Sequence, residues 1–105
     1  MAYRQLVEQV RNYHRAKALA ANKPIPVSDT DWLRADLKHL FEEAGELVEV
    51  VLKTNAPFNE IQGEIADVVI NLACIANYYG VEISSAVDKK LAILKERLNN
   101  WDGAI

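Results

Sequence analysis

Apolar residues recur along the chain in steps of three and four, and no stretch alternates with a clean period of two, so the pattern predicts an all-α fold of four helices. The first helix, from about Tyr3 to Ala20, carries Leu6, Val10 and Tyr13 on one side. In the NKPIPVSDTD segment that follows, Pro24 and Pro26 exclude helix and favour an extended link. The second helix begins near Ser28 to Thr30, whose side-chain oxygens can cap it, and continues to about Lys53. Its predicted core seam is Leu33, Leu37, Leu40, Ala44, Leu47 and Val51. TNAPFN ends it, and Asn59 with Gln62 predicts a capping box at the start of the third helix. That helix runs to Tyr79, where Gly80 suits a left-handed stop. The fourth starts around Glu82 to Ser84 and carries Val87, Leu91, Leu94, Leu98 and Trp101 at the same spacing. Short loops between amphipathic helices imply antiparallel neighbours, hence a four-helix bundle-like single domain over residues 1–105.

The third helix sets the chemical question. GEIADVVINLACIANYY is apolar on most sides and is therefore expected to be buried, yet Glu60, Glu64, Asp67 and Asn71 share one narrow column of it, continued by Tyr78. On the second helix, Asp36, His39, Glu43, Glu46 and Val50 form a stripe flanking the leucine seam, with Glu43 nearer the core than Glu46. If the two helices face each other, Glu43 and Glu46 meet Glu64 and Asp67 around one gap. Carboxylates so close cannot all stay ionised in a dry site, so protons or cations must neutralise them. An all-oxygen donor set suits Mg²⁺, or Mn²⁺, better than zinc or copper. A bundle this small with so apolar a third helix is expected to pair into a homodimer or homotetramer.

Charge and cysteine content narrow the classes further. Residues 1–27 hold five Lys or Arg against Glu8, whereas residues 28–82 hold eleven acids against Arg34, Lys38 and Lys53. So acidic a middle repels a phosphate backbone, and no nucleic-acid partner is expected. Cys74 is the only cysteine, which excludes an intrachain disulfide and a thiolate cluster, and it reads as a small buried apolar residue. No uncharged run is long enough for a membrane span and the N-terminus lacks a secretory h-region, so a cytoplasmic location is expected. Trp32, Phe58, Tyr78 and Trp101 at helix ends read as packing groups, and His14, in a basic helix, as an exposed one. A di-iron bundle would require paired Glu-x-x-His motifs, which the chain lacks.

The sequence E43-A-G-E46, a gap of 17 residues and then E64-I-A-D67, with EEAGELVE before and GVEISSAVDKKL after, resembles the MazG-type all-α nucleoside triphosphate pyrophosphohydrolases. The likeness spans about residues 29–97. It implies a Mg²⁺-dependent enzyme that cleaves (deoxy)nucleoside triphosphates to monophosphate and pyrophosphate in nucleotide-pool house-cleaning. It places the metal and the catalysis on Glu43, Glu46, Glu64 and Asp67, and the triphosphate on Lys90 and Arg97 of the last helix. His39 and Asn71 are added as substrate-binding candidates, Asn71 as a ligand-orienting amide or as a core amide bonded to a neighbouring helix. The chain departs from the family pattern at Leu94, where an asparagine is common, and at His39, where a lysine is common. A phosphoribosyl-ATP pyrophosphohydrolase and a non-catalytic bundle subunit share the same resemblance.

Overall fold

The computed structural model describes residues 3–100 as four α-helices: α1 (Tyr3–Ala20), α2 (Asp29–Leu52), α3 (Phe58–Tyr78) and α4 (Ile83–Asn99). The described residues contain no strand, in agreement with the all-α reading. Trp101 lies outside them.

Local chemistry sets most of the boundaries. Ser28 caps α2 by accepting from the Asp31 amide at 3.1 Å, while the Asp31 carboxylate accepts from the Ser28 amide at 3.4 Å, a reciprocal capping box. α1 and α3 end in the same way. Asn22 (φ 53°) and Gly80 (φ 67°) take the left-handed conformation, and the next amides, Lys23 and Val81, bond back to Ala18 and Ala76. α4 is capped by the Glu82 carboxylate, which accepts from the amides of Ser84 and Ser85. The expected box at Asn59 does not form. Helix geometry already begins at Phe58, Pro57 occupies the cap position, and no side chain bonds the first turn. A proline lacks an amide and has its φ preset, so it starts the helix two residues earlier than the Asn59 reading allows.

α2 and α3 form the main packed pair. Lys53 at the end of α2 reaches Glu60 in the first turn of α3 at 3.0 Å, while Glu43 further back approaches Glu64 and Asp67, so the two helices run antiparallel. α1 lies across this hairpin, mainly on α3. It is fastened to α2 by Arg11, whose Nη1 donates to Asp36 Oδ1 at 2.9 Å and whose guanidinium stacks 4.4 Å above the Trp32 ring. Asp36 is fully buried and its Oδ2 has no partner, so Arg11 is the group that compensates this charge. Cys74 is buried beside the pair, and loss of solvent with the nearby Asp36 charge pushes its thiol up to about 11.

The interior is not where the leucine seam predicts. The buried positions of α2 are Trp32, Asp36 and Val50, whereas Leu37 and Val51 are about half exposed. The line through Asp36, His39 and Glu43 faces α1 and α3, and the seam is turned partly outward. α3 is likewise not buried all round: Asn71, Ala73 and Cys74 are inside, but Ile65, Val69 and Leu72 are exposed. Within the carboxylate column Glu60 and Glu64 are half-buried and Asp67 is exposed, which corrects the expectation that the whole column is enclosed. α4 adds no more than a marginal contact to this body. Its Val87, Leu91, Leu94 and Leu98 are all exposed. The molecule is accordingly extended: its radius of gyration is 17.5 Å, against about 13 Å for a compact chain of this length.

Removing one member of the buried ion pair strands the other in the interior. Arg11→Ala is expected to cost about 3 kcal/mol of unfolding free energy, and Arg11→Met combined with Asp36→Leu to recover most of it. Urea titrations of the three proteins measure this, and an Arg11→Ala protein as stable as the wild type contradicts the assigned role.

Candidate functional site

The α2–α3 hairpin brings three of the four predicted acids into one cluster. Glu43, Glu64 and Asp67 each present a carboxylate oxygen, and these oxygens all lie within 4.8 Å of one another. Spacing explains the convergence. Glu64 and Asp67 are three residues apart and share a helix face, and Glu43 sits at the matching height on the antiparallel partner. Glu46 is exposed, one turn further along α2, and its negative charge still acts on both Glu43 and Glu64. Glu60, the remaining acid of the α3 column, is occupied by Lys53 and stands outside the cluster.

The electrostatics are those of an uncompensated site. Loss of solvent, followed by the charges of Asp67, Glu46 and Glu64, pushes Glu43 up to about 7 from an ordinary 4.5. Glu64 is raised for the same reasons, burial first and then Glu46 and Asp67. One buried oxygen of each, Glu43 Oε2 and Glu64 Oε2, has no hydrogen-bond partner. Unpartnered buried carboxylate oxygens facing one another are the arrangement a hard divalent cation relieves. The donor set therefore fits Mg²⁺ or Mn²⁺, which Glu43, Glu64 and Asp67 would hold.

Beside the cluster opens a pocket of about 620 Å³ between α1, α2 and α3. Glu42, Glu43, Glu46 and Asp67 line one part of it, and Leu6, Val10 and Ile70 another. Asn71 is a buried member of the wall. Its Nδ2 donates to the Asp67 carbonyl of its own helix at 3.0 Å rather than to a neighbouring helix, as a core amide was expected to do. His39 also lines the pocket, with its Nδ1 buried and without a partner.

His14 is not the exposed residue the basic helix implies. It is half-buried and stacks on His39, ring centroids 4.7 Å apart and planes 15° apart, and burial followed by the neighbouring His39 lowers its pKa. Trp32 packs as expected, whereas Phe58 is 78% exposed. Lys90 and Arg97 are exposed on α4 and do not line the pocket of their own chain. Sequence reasoning missed the α1 wall. The available signal was that Leu6, Gln9, Val10, Tyr13, His14 and Lys17 follow one another at helical spacing, which makes them a single face.

The family model described as MazG nucleotide pyrophosphohydrolase domain matches residues 34–101. Comparison with curated proteins and with solved structures gives no match. The matched segment contains all four acids together with α4 and leaves out α1.

The raised Glu43 fixes a sign for the pH dependence. A carboxyl whose folded pKa exceeds its unfolded value stabilises the fold below the unfolded value, and that contribution is lost as pH rises through the folded one. Metal-free protein is therefore expected to melt at progressively lower temperature as pH rises from about 4.5 to beyond about 7. MgCl₂ should restore the difference most at the upper end, where protons no longer compete for the oxygens. Thermal melts across this range with EDTA or with magnesium check both statements, and parallel curves in the two buffers contradict them.

Proposed function

Because the chain belongs to the MazG nucleotide pyrophosphohydrolase family, we propose that it hydrolyses (deoxy)nucleoside triphosphates to a nucleoside monophosphate and pyrophosphate with Mg²⁺, removing unwanted nucleotides from the pool. The observation that carries this reading is the convergence of Glu43, Glu64 and Asp67, with orphaned oxygens, on the edge of a pocket of nucleotide size.

Mg²⁺ supplies charge neutralisation at the phosphate oxygens and lowers the pKa of a coordinated water. The chain's own groups do the rest. Glu43, Glu64 and Asp67 fix the position of the cation through the rigid α2–α3 pair. Glu46, exposed next to them, can orient water or accept its proton. Leu6, Val10 and Ile70 exclude solvent from the far part of the pocket, which strengthens every charge interaction beside them. Positioning and electrostatics dominate phosphoryl-group chemistry, and a preset carboxylate cluster provides both. Asn71, anchored on the Asp67 carbonyl, presents the rest of its amide to a substrate as a hydrogen-bonding group of fixed orientation.

Assembly belongs to the same proposal. The accessible surface is 8232 Å², whereas a compact monomer of 11.8 kDa exposes about 5,900 Å². Large apolar side chains stand exposed on three helices, with Leu91, Leu94 and Leu98 on α4, Ile65, Val69 and Leu72 on α3, and Phe41, Val48 and Leu52 on α2. Helix faces of this kind pack against one another, so the protein forms a homodimer or homotetramer whose interface includes α4. A second copy is also what would carry Lys90 and Arg97 to a triphosphate.

Two measurements test these readings. A panel of common NTPs, dNTPs and phosphoribosyl-ATP, with products identified as monophosphate and pyrophosphate, should show turnover in Mg²⁺ that Glu64→Gln and Asp67→Asn each reduce by at least about a hundredfold. Wild-type rates in both variants remove the cluster from the mechanism. Sedimentation equilibrium should give a mass of at least two chains, which Leu91→Glu with Leu98→Glu converts to one. A monomeric wild type at micromolar concentration contradicts the assembly.

A further inference from the structure

The wall that α1 contributes to the pocket changes character along its length. Leu6, Gln9, Val10, Tyr13, His14 and Lys17 form one continuous helical stripe facing the pocket, apolar near its start and nitrogen-rich near its end. At that end His14 stacks on His39, four residues before Glu43, and Lys17 follows His14 by three residues on the same side of the helix. Among the described residues lining the pocket, Lys17 is the only lysine or arginine, against the carboxylates of Glu42, Glu43, Glu46 and Asp67. Of the other cations on α1, Arg11 is committed to Asp36 and Arg15 lies over the Trp32 ring. Among the described residues, none forms a hydrogen bond or ion pair with the Lys17 ammonium.

We propose that Lys17, at the His14–His39 end of the pocket, binds the pyrophosphate portion of the nucleotide, the part that leaves on hydrolysis, while the Leu6–Val10 end receives the nucleoside. This rests on the pyrophosphohydrolase reading and extends it to a helix outside the matched segment. The physical case is one of charge. A divalent cation held by three carboxylates leaves no net positive charge for a polyanionic tail, so the phosphoryl groups need a further positive partner. Lys90 and Arg97 do not line the pocket of their own chain, whereas Lys17 does. An ammonium on a flexible four-carbon stem suits a phosphate whose position shifts between substrate and product. The unpartnered His39 Nδ1 and the His14 ring add polar nitrogen to the same end. The stripe would thus orient the nucleotide lengthwise, tail toward the end of α1.

The test is calorimetric binding of inorganic pyrophosphate in the presence of MgCl₂ to the full chain, which requires no turnover. Lys17→Gln is expected to weaken binding by about tenfold or more, the effect of losing one charge-assisted hydrogen bond. Lys17→Arg should retain most of the affinity. Lys23→Gln makes the same charge change on a residue that does not line the pocket, and should bind as the wild type does. Mg²⁺ binding without pyrophosphate and the melting temperature should be unchanged in all three. Wild-type pyrophosphate affinity in Lys17→Gln, an equal loss in Lys23→Gln, or no binding by the wild-type protein overturns the proposal. The parent reading fails separately. If the wild-type chain hydrolyses no nucleotide yet loses pyrophosphate binding with Lys17→Gln, the phosphate role of Lys17 stands without the enzyme. If it hydrolyses nucleotides and Lys17→Gln binds pyrophosphate normally, the enzyme stands without Lys17.

Discussion

The constraint on which the rest of the structure depends is the confinement of three carboxylates to one small volume between α2 and α3. Glu43, Glu64 and Asp67 approach within 4.8 Å, and two of their oxygens are buried without any hydrogen bond. A fold selected only for stability would place leucines there. Like charges at that distance oppose folding, and the helix pair accepts the cost because a counter-charge relieves it. The orientation of α2 reflects the same constraint: its polar line turns inward and its leucine seam is left half outside. An acidic pocket floor and exposed apolar surface are two results of one rotation of a helix.

Two different devices hold the pocket together. The floor is rigid because α2 and α3 are consecutive, antiparallel and pinned at their turn by Lys53 and Glu60. The α1 wall is more loosely packed and relies on the buried Arg11–Asp36 pair, the stacking of Arg11 on Trp32 and the His14–His39 stack. Each of these contacts has a polar or aromatic component that requires a defined geometry, which fixes the register of α1 without a large apolar interface. α1 can therefore differ in sequence from the segment that holds the acids while still being aligned with it.

Much of this was legible in the sequence, for identifiable reasons. The four helices follow from apolar spacing, and the stops at Asn22 and Gly80 use residues that tolerate left-handed backbone. The meeting of Glu43 with Glu64 and Asp67 follows from three-residue spacing on neighbouring helices. What was not legible depends on tertiary placement. Nothing local indicates that Asp36 is fully buried, because the arginine that compensates it lies 25 residues away. The leucine seam read as interior because periodicity identifies an apolar face without saying what covers it. His14 reads as an ordinary surface group because only the placement of α1 across the hairpin stacks it on His39. The Asn59 cap failed because Pro57 competes for the same helix start.

The carboxylate-bearing hairpin is also the most local part of the chain. Its two helices are joined by the five residues 53–57, so they pair without closing a long loop, and local pairings form fastest. α1 must instead be bridged over the proline-containing link and matched to Asp36 and Trp32 from a distance. In an emerging polypeptide the acids can thus meet, and a cation can bridge them, before α4 is complete. A cation held there by Glu43, Glu64 and Asp67 would crosslink the hairpin ahead of the longer-range contacts that α1 makes.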